Sequence, residues 1–137
     1  MPKKKSIKSA RNDAISAFHQ YVKYRDADFD GVCVCCTCGR AYRYDDRAMN
    51  AGHFRPAGSF ENTRFNEQNV NAQCVRCNNW GGGMTYEYSR WLEGKHGKGT
   101  SANLERLGHI HCKRTIDDYL EIEKIYKEKL EQLKLEK

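Results

Sequence analysis

Two stretches of this sequence decide its fold: Cys35-Cys36-Thr37-Cys38-Gly39 and Cys74-Val75-Arg76-Cys77-Asn78. Each stretch contains a Cys-x-x-Cys pair, in which a gap of two residues lets both thiolates of a tight turn face one metal ion. Two such pairs supply the four sulfur ligands of a tetrahedral structural zinc site. The sequence therefore predicts one zinc ion that joins two distant segments of the chain.

The first stretch offers two choices of metal-binding pair, because Cys33 and Cys36 are also separated by two residues. Gly39 comes directly after Cys38, and glycine tolerates the tight backbone that follows such a pair. The predicted zinc ligands are therefore Cys35, Cys38, Cys74 and Cys77. We expect Cys33 and Cys36 to be spare thiols packed near the turn, and they remain the alternative pair.

The composition of the chain limits the class of protein. Its 137 residues are 39% hydrophobic and 31% charged, which predicts one domain whose small core is helped by a metal ion. The formal net charge of +6 fits a polyanionic partner such as DNA, although such a charge also serves ordinary solubility.

The sequence lacks the usual marks of membrane and secreted proteins. No apolar run approaches the roughly 20 residues of a membrane span, and no apolar stretch near the N-terminus indicates a secretory signal. We therefore expect a cytoplasmic protein without a membrane partner. In a reducing compartment, metal binding explains seven cysteines better than disulfides do.

Hydrophobic spacing predicts helices at both ends of the chain. Apolar residues recur at steps of three and four within residues 6–28 and 115–135. Between them, short strands are expected within residues 31–47, and a further strand should end near His53. A polar loop is expected at 58–68, a helix from Asn78 or Met84 to Leu92, a flexible connection at 94–100 and a short helix at 101–107.

The C-terminal helix carries an apolar stripe with two possible partners. Its members are Tyr119, Ile122, Tyr126, Leu130 and Leu133. The stripe can pack on the first helix of the same chain, or it can form the seam of a homodimer through the terminal helices. Thr115 is expected to cap this helix, with Asp117 and Asp118 in the first turn, where negative charge is favourable.

A histidine and two asparagines surround the cysteine pairs in a pattern that zinc binding alone does not explain. His53 is the candidate general base, because a neutral imidazole can take a proton from an attacking water near pH 7. Asn78 offers an amide oxygen to a catalytic Mg²⁺ or Mn²⁺. Asn69 is expected to fix the loop of His53 by hydrogen bonds. These roles predict a metal-dependent nuclease whose zinc holds the base and the metal ligand together.

Three arginines near these residues are candidates for DNA binding. Arg55, Arg64 and Arg76 lie close in sequence to the proposed base and metal ligand, and the guanidinium fork suits phosphate. Arg55, two residues after His53, is the preferred contact for the scissile strand. Arg76 can instead be structural, and so can Arg25 through a pairing with Asp26 or a nearby acid.

The order of these motifs resembles a known family. The matching stretches are Tyr24-Arg25-Asp26-Ala27-Asp28, Cys35-x-x-Cys38-Gly39, Ala51-Gly52-His53-Phe54-Arg55, Arg64-Phe65, Gln73-Cys74-x-x-Cys77-Asn78-Asn79 and Glu87-Tyr88. The pattern resembles the HNH or ββα-metal superfamily in a His-Asn-Asn variant, and within it the phage NinG (Rap) recombination family. It is also similar to phage resolvases of the endonuclease VII type.

This resemblance implies a fold and an activity. The expected fold class is α+β, with a small zinc-stabilised ββα-metal (HNH-like) core at residues 31–95. An N-terminal helix with a basic arm occupies residues 1–30, and a C-terminal helical extension occupies residues 96–137. The implied activity is a structure-specific endonuclease for branched DNA such as Holliday junctions or displacement loops. If a phage encodes the chain, its place is the host bacterial cytoplasm.

One residue departs from the resolvase pattern. Those enzymes place an aspartate metal ligand directly before the histidine, whereas this chain has Gly52. Either Asn78 is the sole protein ligand or another oxygen fills the position. Two alternative functions remain open, an HNH nuclease that cuts ordinary duplex DNA and a zinc module that binds DNA without cutting it.

Overall fold

The computed structural model describes residues 5–137. Most of the predicted basic arm, residues 2–4, lies outside the described residues. In chain order the elements are α1 (Ile7–Asp26), β1 (Val32–Val34), β2 (Ala41–Arg43), β3 (Met49–His53), a 3₁₀ helix (Glu61–Thr63), β4 (Val70–Cys74), a π-helical turn (Arg76–Trp80), α2 (Thr85–His96), α3 (Thr100–Gly108) and α4 (Ile116–Glu136). This mixture of helices and small antiparallel sheets confirms the predicted α+β class.

Helix α1 begins where a serine caps it. The Ser6 hydroxyl accepts a hydrogen bond from the Ser9 amide at 3.1 Å, which satisfies one of the free N–H groups of the first turn. One face of the helix is buried and consists of Ala10, Ala14, Ala17, Phe18, Tyr21 and Val22. The small alanine side chains on this face let another helix approach closely.

Helix α4 packs on that face of α1. It begins with a capping box, in which Thr115 and Asp118 exchange side-chain and backbone hydrogen bonds. The ring of Tyr126 meets the ring of Phe18 edge to face, with centroids 4.7 Å apart. Most of the predicted stripe, including Tyr119 and Ile122, joins the core cluster of α1. The stripe therefore packs within the chain, and any homodimer must use other surface.

In the sequence, two separate antiparallel sheets come between the terminal helices. Strands β1 and β2 pair around the first cysteine stretch, with Cys33 opposite Tyr42. Strands β3 and β4 pair with Gly52 opposite Asn71 and His53 opposite Val70. All five residues of β4 are buried, which places this strand in the interior between the cysteine cluster and α1.

The segment after the second cysteine pair folds as a π-helical turn followed by α2 and α3. Residues 94–100 were expected to form a flexible connection, and this expectation is wrong, because α2 continues to His96 and only residues 97–99 separate it from α3. The Glu93 carboxylate accepts a hydrogen bond from the Thr100 amide at 2.9 Å and so joins the two helices. Tyr88, Leu92 and Leu104 form their shared core.

Within residues 5–137, no helix combines the length and the apolar character that crossing a membrane requires.

Candidate functional site

The structure brings four cysteines from two distant stretches together. The thiols of Cys35, Cys38, Cys74 and Cys77 lie within 4.8 Å of one another. Backbone hydrogen bonds build the first turn, since the Gly39 amide donates to the Cys35 carbonyl at 3.0 Å and Gly39 itself has φ +79°. Four thiolates at this separation can bind a metal such as zinc.

The two remaining cysteines of the first stretch have other partners. The Cys33 thiol donates a hydrogen bond to the Lys23 carbonyl at 3.0 Å, and burial raises the pKa of this thiol to about 11. Cys36 lies among the residues that pack on the core of α2 and α3, and burial raises its pKa as well. Neither thiol belongs to the four-cysteine cluster. The structure therefore does not bring the alternative pair, Cys33 and Cys36, to the second cysteine pair.

Cys35 has the environment of a metal-binding thiolate. Burial alone would raise its pKa, but hydrogen bonds from Thr37 and from nearby backbone groups outweigh that effect and lower it to about 6. The Thr37 hydroxyl lies 3.4 Å from the Cys35 sulfur. This thiol therefore loses its proton readily when a metal binds.

His53 ends β3 with its ring fixed by a backbone carbonyl. Its Nε2 lies 3.0 Å from the carbonyl oxygen of Arg64. A carbonyl oxygen can only accept, so Nε2 carries the proton and Nδ1 is left as the acceptor of the neutral ring. Burial lowers the pKa of His53 from its ordinary value, which keeps the ring neutral near pH 7. A neutral ring with a free nitrogen can act as a base.

A second histidine from α1 adjoins His53. The centroids of the His19 and His53 rings lie 5.5 Å apart. Burial, with smaller contributions from the neighbouring His53 and Lys23, lowers the pKa of His19 to about 4. His19 is therefore neutral near pH 7 and places no positive charge beside His53.

Asn69 fixes the chain immediately after His53. Its side-chain oxygen accepts a hydrogen bond from the Arg55 amide at 2.7 Å, and its side-chain nitrogen donates to the carbonyls of Arg55 and Thr63. The side chain is fully buried. Asn69 thus joins the segment after β3 to the 3₁₀ helix, next to the Arg64 carbonyl that holds the histidine ring.

A cavity of about 490 Å³ connects the predicted base with the predicted metal ligand. Its lining includes His53, Arg55, Phe60 and Asn78, together with the Gly82–Gly83 turn. Asn78 lies in the π-helical turn directly after Cys77, half-buried, and its side chain makes no hydrogen bond within residues 5–137. π-Helical turns often mark functional sites. His53 and Asn78 therefore open onto one space although 25 positions separate them in the sequence.

The three predicted DNA-binding arginines have different surroundings. Arg55 lines the cavity, with its guanidinium 4.2 Å from the centre of the Phe60 ring. Arg64 points instead into its own loop, where it pairs with Glu61 at 3.2 Å and donates to the Ala57 carbonyl. Arg76 is exposed on the π-helical turn.

Arg25 has the structural role that the sequence left open for it. Its guanidinium pairs with the Asp26 carboxylate at 2.8 Å and donates to the carbonyls of Glu67 and Val70. A further hydrogen bond reaches the side-chain oxygen of Asn71. Arg25 therefore ties the end of α1 to β4 and its approach.

Two contributors to the site were not predicted. His19 was seen only as part of a helix, since no local signal shows which ring lies opposite it. Tyr88 belongs to the matching motif, but its hydrogen bonds were not predicted: its buried hydroxyl donates to the Gly52 carbonyl at 2.7 Å and accepts from Asn71. This contact holds α2 against β3 directly before the catalytic candidate. Both contacts join residues that are far apart in the sequence, so only the folded structure reveals them.

The profile described as "Bacteriophage Lambda NinG protein" matches residues 2–136 of the chain. The chain belongs to the NinG family. It is 30% identical over 133 residues to "Protein ninG" of Escherichia phage lambda. The aligned region covers 97% of this chain and 59% of that relative. The same protein of Escherichia phage 933W and that of Salmonella phage P22 are each 29% identical over 133 residues, with 60% of each relative covered.

The chain therefore spans about three-fifths of the length of these NinG relatives. No solved structure matches the chain significantly. Family membership bears out the NinG part of the resemblance seen in the sequence motifs.

Proposed function

We propose that this NinG family protein is a metal-dependent DNA endonuclease of the HNH type that cuts branched recombination intermediates such as Holliday junctions and displacement loops. The observation that carries the proposal is that His53, Arg55 and Asn78 line the same cavity. A base, a phosphate-binding cation and an oxygen ligand for a metal are the groups that phosphodiester hydrolysis requires.

His53 is the proposed general base. The Arg64 carbonyl holds Nε2–H, so Nδ1 is the ring nitrogen that can take a proton from an attacking water. Asn69 supports this arrangement because it joins the segments on either side of the ring, at Arg55 and Thr63. Loss of Asn69 would leave the base present but badly oriented.

Asn78 is the proposed ligand of the catalytic cation. The side-chain oxygen of an asparagine suits Mg²⁺ or Mn²⁺, and the Asn78 amide has no other partner within the described residues. When bound, such an ion would neutralise charge on the scissile phosphate and on the leaving oxygen. The π-helical turn and the adjacent cysteine cluster fix the backbone that carries this ligand.

Arg55 is the proposed contact to the scissile phosphate. Stacking on Phe60 orients the guanidinium within the cavity, and its buried Nε has no hydrogen-bond partner within the described residues. A phosphate oxygen would satisfy that donor. Arg64 is engaged in its loop, so its proposed contribution is to position His53, and Arg76 is available to the DNA backbone outside the cavity.

A structural zinc bound by the four cysteines completes the proposal. The cluster joins the turn after β1 to the turn after β4, and Asn78 follows its last ligand directly. Because the core is small, the zinc would contribute a large share of the folding free energy. The zinc thereby keeps Asn78 at a working distance from His53.

The preference for branched DNA rests on three further features. The motifs resemble those of phage recombination nucleases, and the basic net charge of +6 suits DNA. Trp80 and Tyr86, which are 82% and 69% exposed, flank the Gly82–Gly83 turn at the cavity. Exposed aromatic rings can stack on bases that are unpaired at a branch point.

A cleavage assay tests the proposal and separates it from its alternatives. The zinc-loaded chain is incubated with a four-way junction, a displacement loop, a flap and a linear duplex of shared sequence, each with Mg²⁺ or Mn²⁺. We expect cuts in the branched substrates and little cutting of the duplex. Equal cutting of the linear duplex would favour an ordinary HNH nuclease. Binding without any cutting would favour a non-catalytic zinc module.

A further inference from the structure

Gln73 is a fully buried polar residue whose amide is only half satisfied. Its Nε2 donates to the Gly83 carbonyl at 2.8 Å and to the Thr37 hydroxyl at 3.2 Å. The Gly83 carbonyl can only accept, so the nitrogen must face it and the orientation of the amide is fixed. The other end, Oε1, is buried without a hydrogen-bond partner within the described residues. Buried oxygens are rarely left in this state, so this one requires an explanation.

The unpartnered oxygen occupies the space where residue 52 would carry a side chain. A Cβ built on Gly52 would overlap Oε1 of Gln73 and come within 2.8 Å of its Cβ and 3.0 Å of its Cδ. Gly52 and Gln73 lie on the same face of the β3–β4 sheet, since Gly52 pairs with Asn71, two residues before Gln73. The glycine therefore makes room for this amide.

The residues around the Gln73 amide connect it to the proposed nuclease site. Gly52 directly precedes His53, and Gly83, which holds the amide nitrogen, lines the same cavity as His53 and Asn78. Thr37, the other partner of the nitrogen, lies in the turn that carries Cys35 and Cys38. The amide nitrogen is thus bound to the cysteine turn and to the cavity wall. The buried oxygen is the end of the amide without a partner within the described residues.

We propose that the side-chain oxygen of Gln73 is the second protein ligand, beside Asn78, of the divalent cation at this site. The proposal rests on the nuclease function proposed above. Amide oxygens bind Mg²⁺ and Mn²⁺, and a cation that takes few protein ligands is well served by two of them plus water. The ligand comes from β4, and the absent side chain of Gly52 on β3 is what allows it to occupy that space.

Direct measurement of Mn²⁺ binding tests this assignment without any reaction. The full zinc-loaded chain is titrated with Mn²⁺ in the absence of DNA, and free Mn²⁺ is followed by its electron paramagnetic resonance signal. Zinc content and circular dichroism are recorded for every variant. The wild-type chain should bind one Mn²⁺, and Asn78→Ala should weaken that binding.

Two substitutions of matched length isolate the oxygen of Gln73. Gln73→Met and Gln73→Glu both remove the Nε2 donor, but only Glu keeps an oxygen at the end of the side chain. We expect Gln73→Met to weaken Mn²⁺ binding by about 10- to 100-fold, in the range seen when groups supporting a metal are lost. Gln73→Glu should bind at least ten times more tightly than Gln73→Met. Equal affinities in the two variants would overturn the ligand assignment.

A double substitution gives an independent test, because it moves the ligand to the other strand. Gln73→Ala vacates the space beside Gly52, and Gly52→Asp then fills it with a carboxylate. We expect Gly52→Asp/Gln73→Ala to recover Mn²⁺ affinity that Gln73→Ala loses, whereas Gly52→Asp alone should lose zinc through overlap with Gln73. A double variant that binds Mn²⁺ no better than Gln73→Ala would show that Gln73 only supports the fold.

The controls separate this inference from the function on which it rests. A wild-type chain that binds no Mn²⁺ at millimolar concentration would overturn the nuclease proposal and the role of Gln73 together. A wild-type chain that binds Mn²⁺, loses it in Asn78→Ala and keeps it in Gln73→Met would overturn the role of Gln73 alone.

Discussion

His53 shows how a single backbone contact can select a chemical role. The Arg64 carbonyl requires a proton on Nε2, and burial lowers the pKa of the ring, so Nδ1 is free over the physiological range. Neither effect is visible in the motif, since Arg64 lies 11 positions away. The motif indicates the residue proposed as the base, and the fold determines its tautomer.

The lowered pKa of His53 predicts the pH dependence of cleavage. A base works when it is deprotonated, and a pKa lowered below that of an ordinary histidine keeps the ring deprotonated to lower pH. We expect the single-turnover rate with Mg²⁺ to stay nearly constant through neutral pH and to fall tenfold per pH unit only below the lowered pKa of His53. An inflection above pH 7 would contradict a buried neutral base.

His19 predicts a separate pH dependence, in the stability of the fold. Its pKa is about 4 in the folded chain and 6.5 when exposed, so the unfolded chain binds this proton first as the pH falls. The stability that neutral His19 provides is complete above pH 6.5 and is lost between pH 6.5 and pH 4. Over that range we expect His19→Gln to lose less unfolding free energy than the wild-type chain does, by on the order of 1 to 3 kcal/mol.

Chemical denaturation at several pH values measures this difference, over the part of the range in which both chains keep their zinc. Within that range the comparison isolates His19. Identical pH profiles for the two chains would show that His19 is protonated as readily in the folded state as in the unfolded one.

The cysteine turns form the elements that could be predicted best. Thiol spacing is a local property, and Gly39 marked the turn, so the choice of Cys35 and Cys38 agrees with the cluster in the structure. Strand β4 was not predicted, although its sequence, Val-Asn-Ala-Gln-Cys, alternates apolar and polar residues as a strand does. The alternation would predict one exposed face, but all five residues of the strand are buried. Its polar members are buried because they find partners elsewhere in the fold, as Asn71 does in Arg25 and Tyr88.

The same elements predict opposite outcomes for two cysteine substitutions. Cys74→Ser removes one ligand of the four-cysteine cluster, and the chain should lose zinc and unfold or aggregate. Cys33→Ser is the matched control, because a serine hydroxyl can also donate to the Lys23 carbonyl, and this variant should keep its zinc. Elemental analysis of the two purified proteins measures the difference, and full zinc in Cys74→Ser would mean that the ligand set is wrong.

At the scale of the whole molecule, α1 packs against both α4 and the strand that carries the proposed base. Ala51 and Val70 of the β3–β4 sheet share one core cluster with α1 and α4. The amphipathic patterns predicted both helices and gave α1 as one of two possible partners for the stripe of α4, and the structure confirms that partner. That pairing depends on the small residues Ala10 and Ala14, whose effect appears only when the helices meet.

Assembly of the whole molecule follows from the geometry of its proposed substrate. A four-way junction is resolved symmetrically by two cuts, and a two-fold dimer supplies two sites related by the same symmetry. We expect a homodimer whose interface includes the outer faces of the terminal helices, where Leu120 is 38% exposed. Light scattering should give twice the chain mass for wild type and the single mass for Leu120→Glu. A monomeric wild-type chain that makes paired cuts would count against the dimer.

The central claim is that His53 and Asn78 act together on DNA in the cavity that they line. Single-turnover cleavage of a radiolabelled four-way junction, with Mg²⁺ and zinc-loaded protein, tests it most directly. We predict that His53→Ala lowers the rate by roughly 10² to 10⁴, and that both His53→Ala and Asn78→Ala keep zinc, fold and junction binding. Full activity in folded His53→Ala, or no cleavage of any branched DNA by the wild-type chain, would contradict the account.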